Sequence, residues 1–244
     1  ELTNVFANFK SNNIDNLILD LRYNSGGSIN SAILISSLIT GQFTNDIFST
    51  EQWNNEIQNY WLNNDPEYLI NRFIDNPNSL NLNKVIIITS RSSASASELV
   101  INCLKPYIDV IQVGATTYGK YQASVTLYDS PDFSLNGVNP SHNYALQPLV
   151  LKTLNSLGET DYYNGLDPDI IAYEDSSNLG IIGDLDEPLL SLALGQITLD
   201  KNLNNFTEVL DLIGDSSELD ILNKEMYHFI DNYSKFDDSY ERKK

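Results

Sequence analysis

Two apolar runs set the terms for what this chain can fold into: Val85-Ile86-Ile87-Ile88-Thr89 and Val110-Ile111-Gln112-Val113-Gly114. Their β-branched side chains are stiff and pack well on a pleated surface, so both read as buried strands. Each stops at a turn of small residues. The first runs into Ser90-Arg91-Ser92-Ser93-Ala94-Ser95-Ala96-Ser97-Glu98, the second into Ala115-Thr116-Thr117-Tyr118-Gly119-Lys120. Each can present a polar group at a strand's end. Upstream, Asn16 to Arg22 reads as another buried strand, and Tyr23-Asn24-Ser25-Gly26-Gly27-Ser28 as a tight turn. Helices are expected at about 29–39 and 95–105. Strand–helix alternation of this kind points to an α/β fold.

The rest of the chain is less sharply written. Leu2, Val5, Phe6 and Phe9 have helical spacing, which predicts an amphipathic helix ending near Ser11. Residues 41–83 are rich in Asn and aromatic residues and read as helices and loops covering one face. A hairpin is expected from Ser124 to Tyr128, and one strand from Ala145 to Leu154. A helix at about 186–197 closes the core. Residues 201–244 are expected to form a helical extension to a core spanning 1–200.

Composition removes several function classes. Lys and Arg number 14 against 33 Asp and Glu, a formal charge of −19. That field repels phosphate backbones and anionic lipid, so nucleic-acid and membrane-surface partners are not expected. No apolar run reaches the roughly 18 residues of a spanning helix. The single cysteine, Cys103, rules out an intrachain disulfide and reads as a core residue. The two histidines, His142 and His228, lie in a loop and in the terminal region, so a Ser-His-Asp triad is poorly supported.

What remains is a hydroxyl and an amine. Lys120 follows Ser95 by twenty-five positions, and each closes one of the two strand–turn units. A serine and a lysine brought together are enough to hydrolyse an acyl bond, provided the lysine is desolvated and its pKa falls. Each residue also has a plainer reading. Ser95-Ala96-Ser97-Glu98 fits a capping box, Ser93 competes as nucleophile, and loop lysines are usually solvated. Paired glycines are often only backbone punctuation. In the functional reading, the Asn24-Ser25-Gly26-Gly27 turn lets main-chain amides approach a substrate carbonyl.

Taken together, Leu19 to Gly27, Ser93 to Glu98, Val113 to Lys120 and Gly165-Leu166-Asp167-Pro168-Asp169 resemble, in order, motifs of the C-terminal processing (tail-specific) serine peptidases. The wording around Leu99 to Tyr107 is nearest to members from Bacteroidetes-type bacteria. The resemblance implies a crotonase-like (ClpP/crotonase) core of mixed strands flanked by helices. It implies Ser95 as nucleophile, Lys120 as general base, and an oxyanion hole from Ala96 N–H with Gly26 or Gly27 N–H. Substrates would be proteins or peptides, often cut near their C-termini, with no cofactor, at the bacterial cell envelope or outside the cell. Many relatives carry a glutamine four residues after the lysine. Here that position is Ser124, the expected orienting residue, and Tyr121 replaces the usual glycine after the lysine. Relatives also carry a peptide-gripping PDZ domain and early core strands before the glycine motif. Without these the chain is expected to be poorly active and to associate into homo-oligomers. The rival readings are a silent binding module on the same fold and an acyl-CoA enzyme of the wider crotonase group.

Overall fold

The computed structural model describes residues 1–198 of the chain. Its centre is a four-stranded, all-parallel sheet made by β1 (Ile18–Asp20), β4 (Lys84–Thr89), β5 (Asp109–Gly114) and β10 (Ile170–Ile171), in the order β1-β4-β5-β10. β4 and β5 are the two runs that stood out in the sequence, paired Ile86 to Ile111 and Ile88 to Val113.

The continuous apolar character of β4 follows from burial on both faces. Val85 and Ile87 enter one core cluster together with α2 (Ile29–Ile39) and α4 (Ala96–Leu104). Ile86 and Ile88 point the other way, onto Leu189 and Ala193 of α5 (Pro188–Thr198). Every residue of α4 is buried, Cys103 included. That helix packs on α2 and touches β5 of the parallel sheet and both β2 (Ile47–Trp53) and β9 (Leu149–Asn155) of a second, antiparallel sheet. The second sheet has the order β3-β2-β9-β6, with β3 at Ile70–Arg72 and β6 at Gln122–Ser124. The chain is therefore a mixed α/β protein. The remaining elements are α1 (Leu2–Ser11), α3 (Asn55–Asn64), a 3₁₀ turn at Pro66–Leu69 and the short pair β7 (Leu127–Tyr128) with β8 (Ala145–Leu146).

Three expectations need correction. Residues 41–83 do not form helices and loops alone, because they contain β2 and β3. β2 was hidden because Ser49 and Glu51 are buried on it. Glu51 accepts hydrogen bonds from Trp53 Nε1 at 3.0 Å and Asn71 Nδ2 at 3.2 Å, which lets a carboxylate sit where an apolar residue is expected. The Ser124–Tyr128 hairpin does not form. β6 pairs with β9 and β7 with β8, so the two strands belong to different sheets. The single strand expected over Ala145–Leu154 is interrupted before Leu149, where Pro148 supplies no N–H to a ladder. The helical extension over 201–244 and His228 lie outside the described residues.

An ionic cluster joins the front of the fold to its back. Arg22, just after β1, is almost completely buried. It reaches Asp20 at 2.7 Å, Glu187 at 2.8 Å and Glu174 at 3.3 Å. Glu187 also caps α5 by accepting the N–H of Leu190 at 2.8 Å. Burial alone would loosen the Arg22 proton, but the bonds from Asp20 and Glu187 outweigh it and raise the pKa. Replacing Arg22 by Met should destabilise the fold by about 3–5 kcal/mol, because two buried carboxylates lose their cation. Urea denaturation checks this: the midpoint should fall while the slope stays constant.

Candidate active site

Three adjacent parallel strands end on the same edge, and each hands its chain to a turn. β4 lies between β1 and β5, so the Ser90–Ser95 turn is flanked by the glycine turn after β1 and by the lysine loop after β5. The crevice outside the carboxyl ends of parallel strands is where open α/β sheets bind ligands. Main-chain bonds stitch the turns together. Ala94 N–H donates to Asn24 O at 3.1 Å, and Tyr118 N–H to Ser93 O at 3.0 Å. Ser97 Oγ donates to Asn24 O at 2.9 Å. Gly26 lies so close that a Cβ there would sit 2.6 Å from Ser95 Cβ and 2.9 Å from Ala96 N, and its φ is +111°. Only glycine fits.

Ser95 is the N-cap residue of α4, almost completely buried, with φ 61° and ψ −115°. A non-glycine residue at positive φ is uncommon, and such strain persists where the surroundings over-determine it. Next to it, Ala96 N–H stands at the first helical position, where no intrahelical acceptor exists and the helix dipole favours negative charge. Ser93 is held differently. Its hydroxyl donates to Leu21 O at 2.7 Å and accepts Ser90 N–H at 2.9 Å, so it is spent on the turn. Of the two glycine amides, Gly26 N–H already donates to Asn24 Oδ1 at 2.9 Å. Gly27 faces open space, with nothing within 4 Å of a built Cβ.

The residue that sequence reading valued too little is Glu98. It was legible only as the far end of a capping box, and that half is present: its Oε2 accepts Ser95 N–H at 2.8 Å. The same oxygen accepts Lys120 N–H at 2.8 Å. Its Oε1 accepts Gly119 N–H and Thr117 Oγ1, each at 2.6 Å. One buried carboxylate thus fixes the main chain at both candidate catalytic residues. Burial pushes the Glu98 carboxyl up from the usual range, and the four donors pull it back. Lys120 is half-buried. Desolvation lowers its pKa from the ordinary lysine value, against the opposing pull of Glu98. Burial of this kind disfavours the ammonium form.

The other candidates are placed less centrally. Ser124 is buried on β6, opposite Leu149 of β9, four positions after Lys120. His142 lies in the 129–144 loop, 3.1 Å from Asp129 Oδ2 and close to Tyr144. It takes no part in the three turns.

The sequence pattern of peptidase family S41 matches residues 1–171. Among solved structures, a Bacteroides fragilis chain named as an S41 protease is 26% identical with a TM-score of 0.68. That match covers 82% of this chain and 49% of the other. A photosystem II D1 C-terminal processing protease is 18% identical with a TM-score of 0.52, over 79% of this chain and 43% of that one. A Parabacteroides merdae chain named as a peptidase is 19% identical with a TM-score of 0.53, over 84% and 58%. These last two likenesses speak for the fold alone. The chain spans about half the length of such relatives. No curated protein matches it.

Glu98 can be tested as the anchor of both loops. In Glu98→Gln the amide nitrogen cannot accept, so the donors it faces lose their acceptor in a dry site. A stability loss of about 1–3 kcal/mol per stranded donor is expected. Thermal or urea unfolding checks it, and a neutral result would show that the loops are held by something else.

Proposed function

Since the chain belongs to peptidase family S41, we propose that it is the catalytic core of a serine endopeptidase in which Ser95 attacks and Lys120 is the general base. Its two-sheet architecture is read as crotonase-like. The observation that carries this reading is the shared carboxylate. Ser95, strained and buried at a helix N-terminus, and Lys120, partly desolvated, are fastened to the same oxygen of Glu98.

The chemistry proceeds in two halves. Ser95 Oγ forms a bond to the scissile carbonyl carbon while its proton passes to the neutral Nζ of Lys120. The carbonyl oxygen becomes an oxyanion, held by Ala96 N–H and Gly27 N–H. Preorganised donors of this kind typically contribute 10²–10³ in rate each. Collapse breaks the C–N bond, and the leaving amine takes the proton from Lys120. Water then attacks the acyl carbon as one of its protons passes to Lys120; collapse of this second intermediate breaks the C–Oγ bond, Lys120 returns the proton to Ser95 Oγ, and the carboxyl product leaves. Ser124, buried on the strand that follows the lysine loop, is assigned to orient the lysine amine. The substrate is an extended polypeptide, a protein tail or unfolded segment. The place of work is the cell envelope or its exterior, on family likeness. No helix among the described residues is long and apolar enough to cross a membrane.

Ser95→Ala should lower cleavage of an unstructured polypeptide on the order of 10³-fold or more with little change in stability. Ser93→Ala should keep the chemistry and lose stability, because its hydroxyl serves the turn. The reverse ranking would exchange nucleophile and scaffold.

The base has a pH signature. Below its pKa Lys120 is an ammonium and cannot accept the serine proton, so kcat should rise with pH. The midpoint of that limb should lie below the value of about 10.4 of a free lysine, since burial lowers the Lys120 pKa. Lys120→Arg should be as inactive as Lys120→Ala, because a guanidinium does not deprotonate in this range. A pH–rate profile that persists in Lys120→Arg would remove the base from the mechanism.

A further inference from the structure

The fourth motif, Gly165-Leu166-Asp167-Pro168-Asp169, is not accounted for by the reaction above, yet it is bonded to the lysine loop along its length. Thr117 N–H donates to Leu166 O at 3.1 Å. Leu166 N–H donates to Thr117 Oγ1 at 2.7 Å, and that hydroxyl passes its own proton toward Glu98 Oε1 at 2.6 Å. Two glycines let the segments touch backbone to backbone. A Cβ on Gly119 would lie 2.3 Å from Tyr163 O, and one on Gly165 would lie 2.1 Å from Thr117 O. At the base of the loop, Gln112 N–H meets Asp169 Oδ2 at 2.8 Å and Asp169 N–H meets Gln112 O at 2.9 Å.

We infer that Thr117 is a positioning residue for the catalytic lysine, relaying the fixed 162–167 turn through Glu98 to the main chain at Lys120 and Ser95. The inference rests on the serine–lysine reading above. Thr117 is buried, and a hydroxyl has one proton to donate. Here that proton goes to Glu98 while an oxygen lone pair receives Leu166 N–H, so the direction of the relay is set. Of the four donors on Glu98 among the described residues, Thr117 Oγ1 is the only side-chain group; the others are the amides of Ser95, Gly119 and Lys120. It is therefore the one donor that a side-chain substitution can remove while every peptide group stays in place. Its neighbour Thr116 is the natural control. Thr116 Oγ1 also bonds the turn, to the exposed Asp167 Oδ1 at 2.9 Å, but without reaching Glu98.

Thr117→Val keeps the shape and removes the hydroxyl. The expected result is a kcat lower by about 10- to 100-fold, since a small misplacement of a catalytic group can cost up to about 10²-fold, with KM within about twofold. Thr117→Ser should restore kcat to within about threefold, and Thr116→Val should match the parent. If Thr117→Val does not fold, Thr117→Cys, of similar size and a weaker donor, should show the same kcat loss at constant KM. Lys120→Ala, measured alongside, separates the two claims. If it retains turnover, the base assignment fails. If it is inactive while Thr117→Val has the parent's kcat, or while Thr116→Val falls as far as Thr117→Val, the relay is wrong and the base assignment stands.

Discussion

The site depends on one buried carboxylate. An ionised glutamate taken out of water is costly unless each oxygen is bonded, and Glu98 meets that condition with two donors on each. Three of the donors are peptide groups, from Ser95 and from Gly119 and Lys120, segments that lie far apart in sequence. Satisfying the charge and fixing the loops are therefore the same event. A carboxylate held this way leaves the loop backbones little freedom, and that rigidity is what the proposed serine–lysine chemistry would require. The positive φ of Ser95 and the close approach of Gly26 fit the same picture. The turn is strained on one side and sterically filled on the other, so it has one conformation to occupy.

A second buried ionic group steadies the opposite flank. Arg22 lies two residues after β1, immediately before the glycine turn, and answers three carboxylates from both ends of the described chain. Arginine suits this place because its planar fork can bond several acids at once. By tying β1 to the N-terminus of α5, the cluster holds the glycine turn from behind while Glu98 holds the other two turns from within. The glycine, serine and lysine loops are thus each fixed by a polar centre in the interior. The apolar clusters on the two faces of β4 supply the rest.

The sequence was most readable where one physical demand acted alone. β4 is covered on both faces, so nothing interrupts its β-branched run, and in β5 the one buried polar residue, Gln112, is bonded to Thr89 Oγ1 and Leu166 O; the limits of both were legible nearly to the residue. α2 was legible because Ser28 caps it and accepts Asn30 N–H at 3.1 Å. β2 was not, because it carries a buried serine and a buried glutamate whose partners, Trp53 and Asn71, come from its own strand and from its neighbour. β6 and β7 looked like a hairpin because closeness along the chain favours local pairing. β9 competed for β6 and won, with a partner lying some thirty residues away.

The chain alone determined which side chains were available and the order in which they arrive: a glycine turn, a serine, a lysine, each after a strand. Local propensity and burial pattern operate over a few residues, and those features are written at that range. What only the tertiary structure decided is which groups are used. Ser93 and Ser95 look alike in sequence, yet one hydroxyl is spent on Leu21 and the other residue sits strained at a helix end. Gly26 and Gly27 are adjacent, yet one amide is taken by Asn24. Glu98 read as the cap of its own helix until the lysine loop folded onto it. Whether a donor or acceptor is free depends on partners brought in by long-range packing, and no window of sequence contains them.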